Sequence, residues 1–135
     1  MFEVHLKKAK DINTKNRDLE IDYLTDLFEY NQLSEREYIY IIEELIKMLQ
    51  DEKDEDVIES VFNLFGWAFG DGICDDLIVE TCTEMLHNLD SMSLFHAIPI
   101  IGESKLENKK ILLEPYLKSE NPDLRKEAEE VLINR

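Results

Sequence analysis

"AIPIIGESKLENKKILLEPYLKSENPDLRKEAEEVL", residues 97 to 132, decides how the rest of the chain is read. It holds an apolar helical run that ends at Gly102-Glu103-Ser104, a second run at "ILLEPYL" (111–117), and a third opened by Asn121 and Pro122. A proline in the first turn of a helix sits where its missing N–H is not needed. The same opening, a polar cap before an apolar helix start, occurs at "DEDV" (54–57), "SMSL" (91–94) and "NPDL" (121–124), at spacings of 37 and 30 residues. "LFG" at 64–66 and "IIG" at 100–102 match at a spacing of 36. Units of roughly 30 to 40 residues with two helices each predict an α-solenoid, in which every pair buries its apolar face against the next.

Outward from that stretch almost everything after residue 15 reads as helix. Arg17–Asn31 places Leu19, Tyr23, Leu24, Leu27 and Phe28 on one face at a spacing near 3.6. Ser34 and Glu37 form a capping box for Glu35–Gln50, which turns Tyr38, Ile41, Ile42, Leu45, Ile46 and Leu49 inward. A third helix from about Asp56 carries Val57, Val61, Phe62, Leu64 and Phe65, and "GDG" (70–72) ends it, glycine tolerating the left-handed backbone there. A fourth spans Asp75–Leu89 with Leu77, Ile78, Cys82, Met85, Leu86 and Leu89 inward, and Ser93–Gly102, Asn108–Lys118 and Pro122–Asn134 follow. Only residues 2–8, with Phe2, Val4 and Leu6 alternating, suggest extended structure. The expectation is one all-α domain over residues 1–135, with six to seven helices in antiparallel pairs. It has an N-terminal segment at 1–15, and its clearest repeats lie in 54–134.

Residues 97 to 132 resemble a HEAT or HEAT-like repeat. The likeness lies in the first helix with its proline and "GES" end, the second helix "ILLEPYL", and the "NPDLRKEAEEVL" that opens the next unit. Residues 54–90 follow the same scheme loosely, and 1–50 do not match it. The resemblance implies a short HEAT-like α-solenoid, a right-handed superhelix, and protein binding. A narrower likeness joins "NLFGWAFGDGICDDLIVETCTEML" to "AIPIIGES": the chain is similar to the small acidic helical immunity proteins of bacterial polymorphic toxin and contact-dependent growth inhibition systems. That resemblance implies a cognate toxin domain, a protein with a basic surface, as partner. It carries no catalytic motif that maps onto individual residues.

The totals agree with a protein partner. Against 31 acidic residues stand 15 basic ones, a net charge of −16, while the apolar fraction of 44% is ordinary for a folded domain. Such a charge repels phosphate backbones and anionic lipid, so neither nucleic acid nor a membrane is expected as partner, and it attracts a basic protein surface. Cys74 and Cys82 lie eight residues apart on one predicted helix, a rise of about 12 Å that no disulfide spans. Two free thiols suit a reducing compartment. The opening "MFEVHLKKAKDINTK" has no unbroken apolar run of signal-peptide length, and no run is long enough to cross a membrane. Cytoplasmic residence is expected, and oligomeric state is left open.

Catalytic chemistry does not emerge. His5, His87 and His96 fall on separate segments without metal-ligand spacing, and no cofactor or metal is expected. The glycines form no phosphate cradle, and Asp71, Asp75 and Asp76 lack the alternation of an EF-hand loop. Cys82 reads as core, and Cys74, beside two carboxylates, as structural or incidental. The candidate partner-binding residues are Trp67, Phe69, Asp71, Asp75, Asp76, Glu80 and Glu84. Trp67 and Phe69 either close the end of the core or anchor a partner. The acids around and after them would ring such an anchor with charge, and Asp76, Glu80 and Glu84 recur every four residues along one helix face. The reading is a non-catalytic binding module, first an immunity protein against a toxin such as a nuclease with a cationic cleft. An adaptor or assembly factor for a permanent partner comes second, and an enzyme with unrecognised carboxylates third.

Overall fold

A computed structural model describes residues 1–133. It is all-α, with eight α-helices and no strand among the described residues. The chain divides into two compact units, Met1–Ile78 and Val79–Arg135.

The first unit holds α1 (Phe2–Lys10), α2 (Arg17–Glu29), α3 (Glu35–Leu49) and α4 (Glu55–Ala68), and the unit boundary falls early in α5 (Asp75–Met85). Here α2 packs on both α1 and α4, and α3 packs on α4. The starts follow the expected chemistry. The Ser34 hydroxyl accepts from the Glu37 N–H at 3.2 Å, and the Glu37 carboxylate accepts from the Ser34 N–H at 2.9 Å, so both halves of the capping box are made. Asp54 caps α4 by accepting from the Asp56 N–H at 3.0 Å. The core comprises Ile21 and Leu24 from α2, Ile41, Ile42 and Leu45 from α3, and Val61, Phe62, Leu64 and Phe65 from α4. Phe62 and Phe65 meet edge to face with ring centres 5.4 Å apart. Removing either ring would cost about 3–5 kcal/mol.

Two expectations for this unit are corrected. Residues 2–8 are helical, not extended: the side chains that α1 buries are Leu6 and Ala9, three apart, while Val4 faces outward. On α2 the buried face is turned from the expected one. Ile21, Leu24 and Phe28 are buried together with Arg17 and Thr25, whereas Leu19 and Tyr23 are exposed. Tyr23 is not idle there, since the His5 ring stacks on it at 3.7 Å and the His5 Nδ1 lies 2.6 Å from a Glu20 carboxylate oxygen.

Arg17 is the polar centre of this unit. Its Nε donates to the Ala9 carbonyl at 2.7 Å, and its two terminal nitrogens reach the Glu52 carboxylate at 2.5 and 3.1 Å. The two side chains are only 8% and 7% exposed. A guanidinium fork on a carboxylate gives two parallel charge-assisted bonds, which ties the end of α1 and the start of α2 to the loop after α3.

The second unit contains the rest of α5, a 3₁₀ turn at Leu86–Asn88, α6 (Ser91–Glu103), α7 (Lys109–Leu113), a 3₁₀ turn at Glu114–Lys118, and α8 (Pro122–Leu132). Here α6 packs on α8 and α7, and α8 on the second 3₁₀ turn. Gly102 makes the α6–α8 contact possible: a Cβ at this position would lie 2.5 Å from the Cβ of Val131. Asn121 caps α8 as expected, accepting from the Asp123 N–H at 2.9 Å, and Pro122 occupies the first turn. The cap of α6 is Asp90, whose carboxylate accepts from the Ser93 N–H at 3.0 Å, so the helix begins two residues before the expected Ser93. The expected helix Asn108–Lys118 is an α-helix followed by a 3₁₀ turn, because Pro115 offers no N–H and crowds the preceding turn. The expected helix to Leu89 likewise gives way to 3₁₀ after Met85, with Cys82, Leu86 and Leu89 buried as expected but Leu77 exposed. The expected end of the last helix at Asn134 lies outside the described residues.

Candidate functional site

The segment that joins α4 to α5, residues 69–74, carries two of the residues singled out in the sequence, Phe69 and Asp71; Trp67 precedes it in α4, and Asp75, Asp76, Glu80 and Glu84 follow it in α5. α4 ends at Ala68, with Phe69 already extended, and Gly70 and Gly72 follow at φ values of 107° and 81°. Both angles lie in the left-handed region that side-chain-bearing residues avoid, so the two glycines set the path of the turn. Two further bonds fix it. The Tyr38 hydroxyl, brought up by α3, donates to the Ala68 carbonyl, with a carboxylate oxygen of Asp71 3.2 Å away. The Asp75 carboxylate accepts from the Gly70 N–H at 3.0 Å. Tyr38 is itself buried, its ring edge-on to Phe28 at 4.7 Å. Burial first, then the charge of Asp71, pushes its hydroxyl well above the ordinary phenol range, so it remains a hydrogen-bond donor.

Cys74 closes the turn and is 3% exposed. Its thiol is pushed up by burial, and further by the carboxylates of Glu43, Asp75 and Glu35. It therefore stays protonated at neutral pH and packs as a small apolar side chain. Cys82 is fully buried, with its thiol pushed up to about 12 by burial. These carboxylates also disclose what the sequence did not: Glu35 and Glu43 of α3 are near enough to Cys74 for their charge to act on its thiol, as that of Asp75 does. The two glutamates are about two helical turns apart, on a helix whose apolar side was the evident signal.

Trp67 is 49% exposed. It stands in the last turn of α4 on the outward face shared with Glu59, Asn63 and Gly66, opposite the buried Leu64, Phe65 and Ala68. Phe69 is half-buried. Of the acids, Asp71 is exposed and Asp75 half-buried. The turn is held through Tyr38, Gly70 and Cys74, with Asp71 and Asp75 drawn into that network, while Trp67 stands on the helix before it. Asp76, Glu80 and Glu84 are all exposed on α5 at four-residue intervals and so form one acidic stripe along that helix.

Among the described residues no group of three or more His, Cys, Asp or Glu side chains is arranged to hold a metal ion. No helix of the described residues is long and apolar enough to cross a membrane. Comparison with protein-family models, with curated proteins and with solved structures gave no match to this chain.

Proposed function

We propose that this chain is a protein-binding module, and specifically an immunity protein that binds a cognate toxin domain with a basic surface and neutralises it. The observation that carries the reading is Trp67. A half-exposed tryptophan leaves a large apolar surface in water, on the helix that leads into a turn bearing the exposed Asp71, in a chain of net charge −16. Tryptophan is the residue most enriched among interface anchors, and a surrounding of one charge selects a partner of the other. The stripe of Asp76, Glu80 and Glu84 adds carboxylates of the same sign. A cationic nuclease cleft is the kind of surface such an arrangement suits.

The finer architecture belongs to the same proposal. In the first unit α2 packs on α4, and in the second α6 packs on α8, so in each the contact joins a helix to the next but one. That is how corresponding helices of successive repeats stack, and it supports a short HEAT-like solenoid.

Titration calorimetry of the purified chain against the C-terminal domain encoded immediately upstream tests the reading. A one-to-one complex is expected, weakened at least about tenfold by Trp67→Ala. The melting temperature should fall far less than for a core change such as Phe65→Ala. A wild-type chain that gives no heat of binding would remove the proposal. Undiminished binding by Trp67→Ala would remove the tryptophan from the interface.

A further inference from the structure

Tyr40 stands 47% exposed on α3, between two open grooves of the first unit. One, of about 470 Å³, is lined by Glu35, Arg36, Ile39, Tyr40 and Glu43. The other, of about 280 Å³, is lined by Glu3, Leu6, Lys7, Lys10 and Tyr40. They differ in charge. The first sets two carboxylates against one guanidinium, whereas the second sets Lys7 and Lys10 against Glu3, with the Lys10 ammonium already paired with Glu44 at 2.5 Å. Glu35, Ile39 and Glu43 follow one another every four residues, so an apolar side chain lies between two carboxylates on one face of the helix. Both carboxylates also act on the buried Cys74 thiol at the end of the turn after α4, as Asp75 does.

We propose that the Glu35–Glu43 groove of α3 receives a cationic segment of the partner protein, with one arginine or lysine seated in it. The aliphatic stem of that residue lies along Ile39, its charged head pairs with Glu43, the Tyr40 ring offers its face to the cation, and Glu35, about two turns away, adds negative charge at the other end of the groove. The site rests on the proposed immunity function and adds to it a second contact, apart from the tryptophan, with a stated chemistry. The neighbouring groove offers the same group only Glu3, beside Lys7 and a Lys10 already paired with Glu44, so the cation binds on the Glu43 side of Tyr40.

Stopped-flow association and dissociation with the upstream-encoded C-terminal domain, at low and moderate salt, tests this. The variants are Glu43→Lys and Tyr40→Ala, with Glu120→Lys in the second unit as an exposed control that changes net charge by the same amount. Tyr40 touches Phe2 edge-on at 6.2 Å, so Tyr40→Leu serves as a second variant should the alanine loosen α1. The groove is supported if Glu43→Lys weakens binding about tenfold or more and the Tyr40 variants dissociate several-fold faster, while Glu120→Lys stays within about twofold. Equal losses for Glu43→Lys and Glu120→Lys would mean a general charge effect and would overturn the groove. Wild-type binding unchanged by Glu43→Lys and the Tyr40 variants would overturn it too, and would leave the immunity reading standing. No binding by the wild type would overturn both.

Discussion

Replacing Gly102 by alanine puts a methyl group where α6 and α8 have no room for one. The added Cβ would lie 2.5 Å from the Val131 Cβ and 2.8 and 2.9 Å from its two methyl carbons. Carbon atoms in favourable contact sit at roughly 3.5–4.0 Å, so the gap is short by about 1 Å. A rotamer change at Val131 gives no relief, because its Cβ is fixed to the backbone. The helices must separate, which loosens the packing around them. Overpacking of this kind costs about 1–3 kcal/mol, against which alanine regains up to about 1 kcal/mol over glycine inside a helix. The net loss is therefore up to about 3 kcal/mol, and Gly102→Ala should lie about 1–3 kcal/mol below a glycine-to-alanine change that meets no neighbour, a difference of several degrees in melting temperature for a chain of this size. Gly66 in α4 is the matched control, since a Cβ there meets nothing within 4 Å. Gly66→Ala should raise stability by about 0.5–1 kcal/mol. Thermal and urea melts followed by far-UV circular dichroism measure both. If Gly102→Ala were as stable as Gly66→Ala, the close approach of α6 and α8 would be wrong.

Three further outcomes follow from the first unit. Arg17→Ala should cost about 3–5 kcal/mol in urea unfolding because it leaves the buried Glu52 carboxylate without its guanidinium. The double change Arg17→Met with Glu52→Gln should cost clearly less than the two single changes together, and strict additivity would contradict the pair. Tyr38→Phe should cost about 1–2 kcal/mol by taking the hydroxyl from the Ala68 carbonyl, with faster amide hydrogen exchange in the turn at 69–74; unchanged exchange would show that Tyr38 does not hold the turn. Asp22 has its carboxyl raised above the ordinary 3.8, first by burial and then by Asp18, Glu59 and Asp26, against the lowering effect of the Ser60 hydroxyl. A raised carboxyl binds its proton more tightly in the folded chain than in the unfolded one. Its protonation thus stabilises the fold fully below 3.8, and that gain is lost as pH rises through the folded value. Asp22→Asn should therefore be more stable than the wild type at neutral pH, with the difference shrinking on acidification through that window. A difference independent of pH, followed by denaturant melts, would assign the effect to something other than titration.

The parts of the fold that were legible in the sequence are those where a local signal and the packing agree. α3 is the clearest case: its capping box marks the start, and Tyr38, Ile41, Ile42, Leu45 and Leu49 repeat at helical spacing and are all buried. α2 was read correctly at Leu24 and Phe28, which are buried, and wrongly at Leu19 and Tyr23: the helix carries two overlapping apolar sets, and only contact with α1 and α4 selects Ile21 over those two. α1 was misread because three alternating apolar residues are too few to set a period, and what orders it is tertiary: Leu6 and Ala9 against the core, and Arg17 on the Ala9 carbonyl. At the candidate site the glycine turn, the exposed Asp71, Asp76, Glu80 and Glu84 and the buried Cys82 were evident from residue type, whereas the burial of Cys74 was not. Tyr38 was read only as an apolar contact, although a buried phenol needs a partner for its hydroxyl and so pointed toward a loop carbonyl. Glu35 and Glu43 were missed because nothing local distinguishes them from other carboxylates on a solvated helix face; only the fold places them on the groove beside Tyr40.

The measurement that bears most directly on the proposed function is bacterial growth. The C-terminal domain encoded immediately upstream is induced alone, with this chain, and with the Trp67→Ala, Glu43→Lys variant of it. Immunity predicts arrest by the domain alone, full recovery with the wild-type chain, and poor recovery with the variant at equal expression. Growth that stops whether or not the chain is present, or a neighbouring domain that never slows growth, would contradict the account.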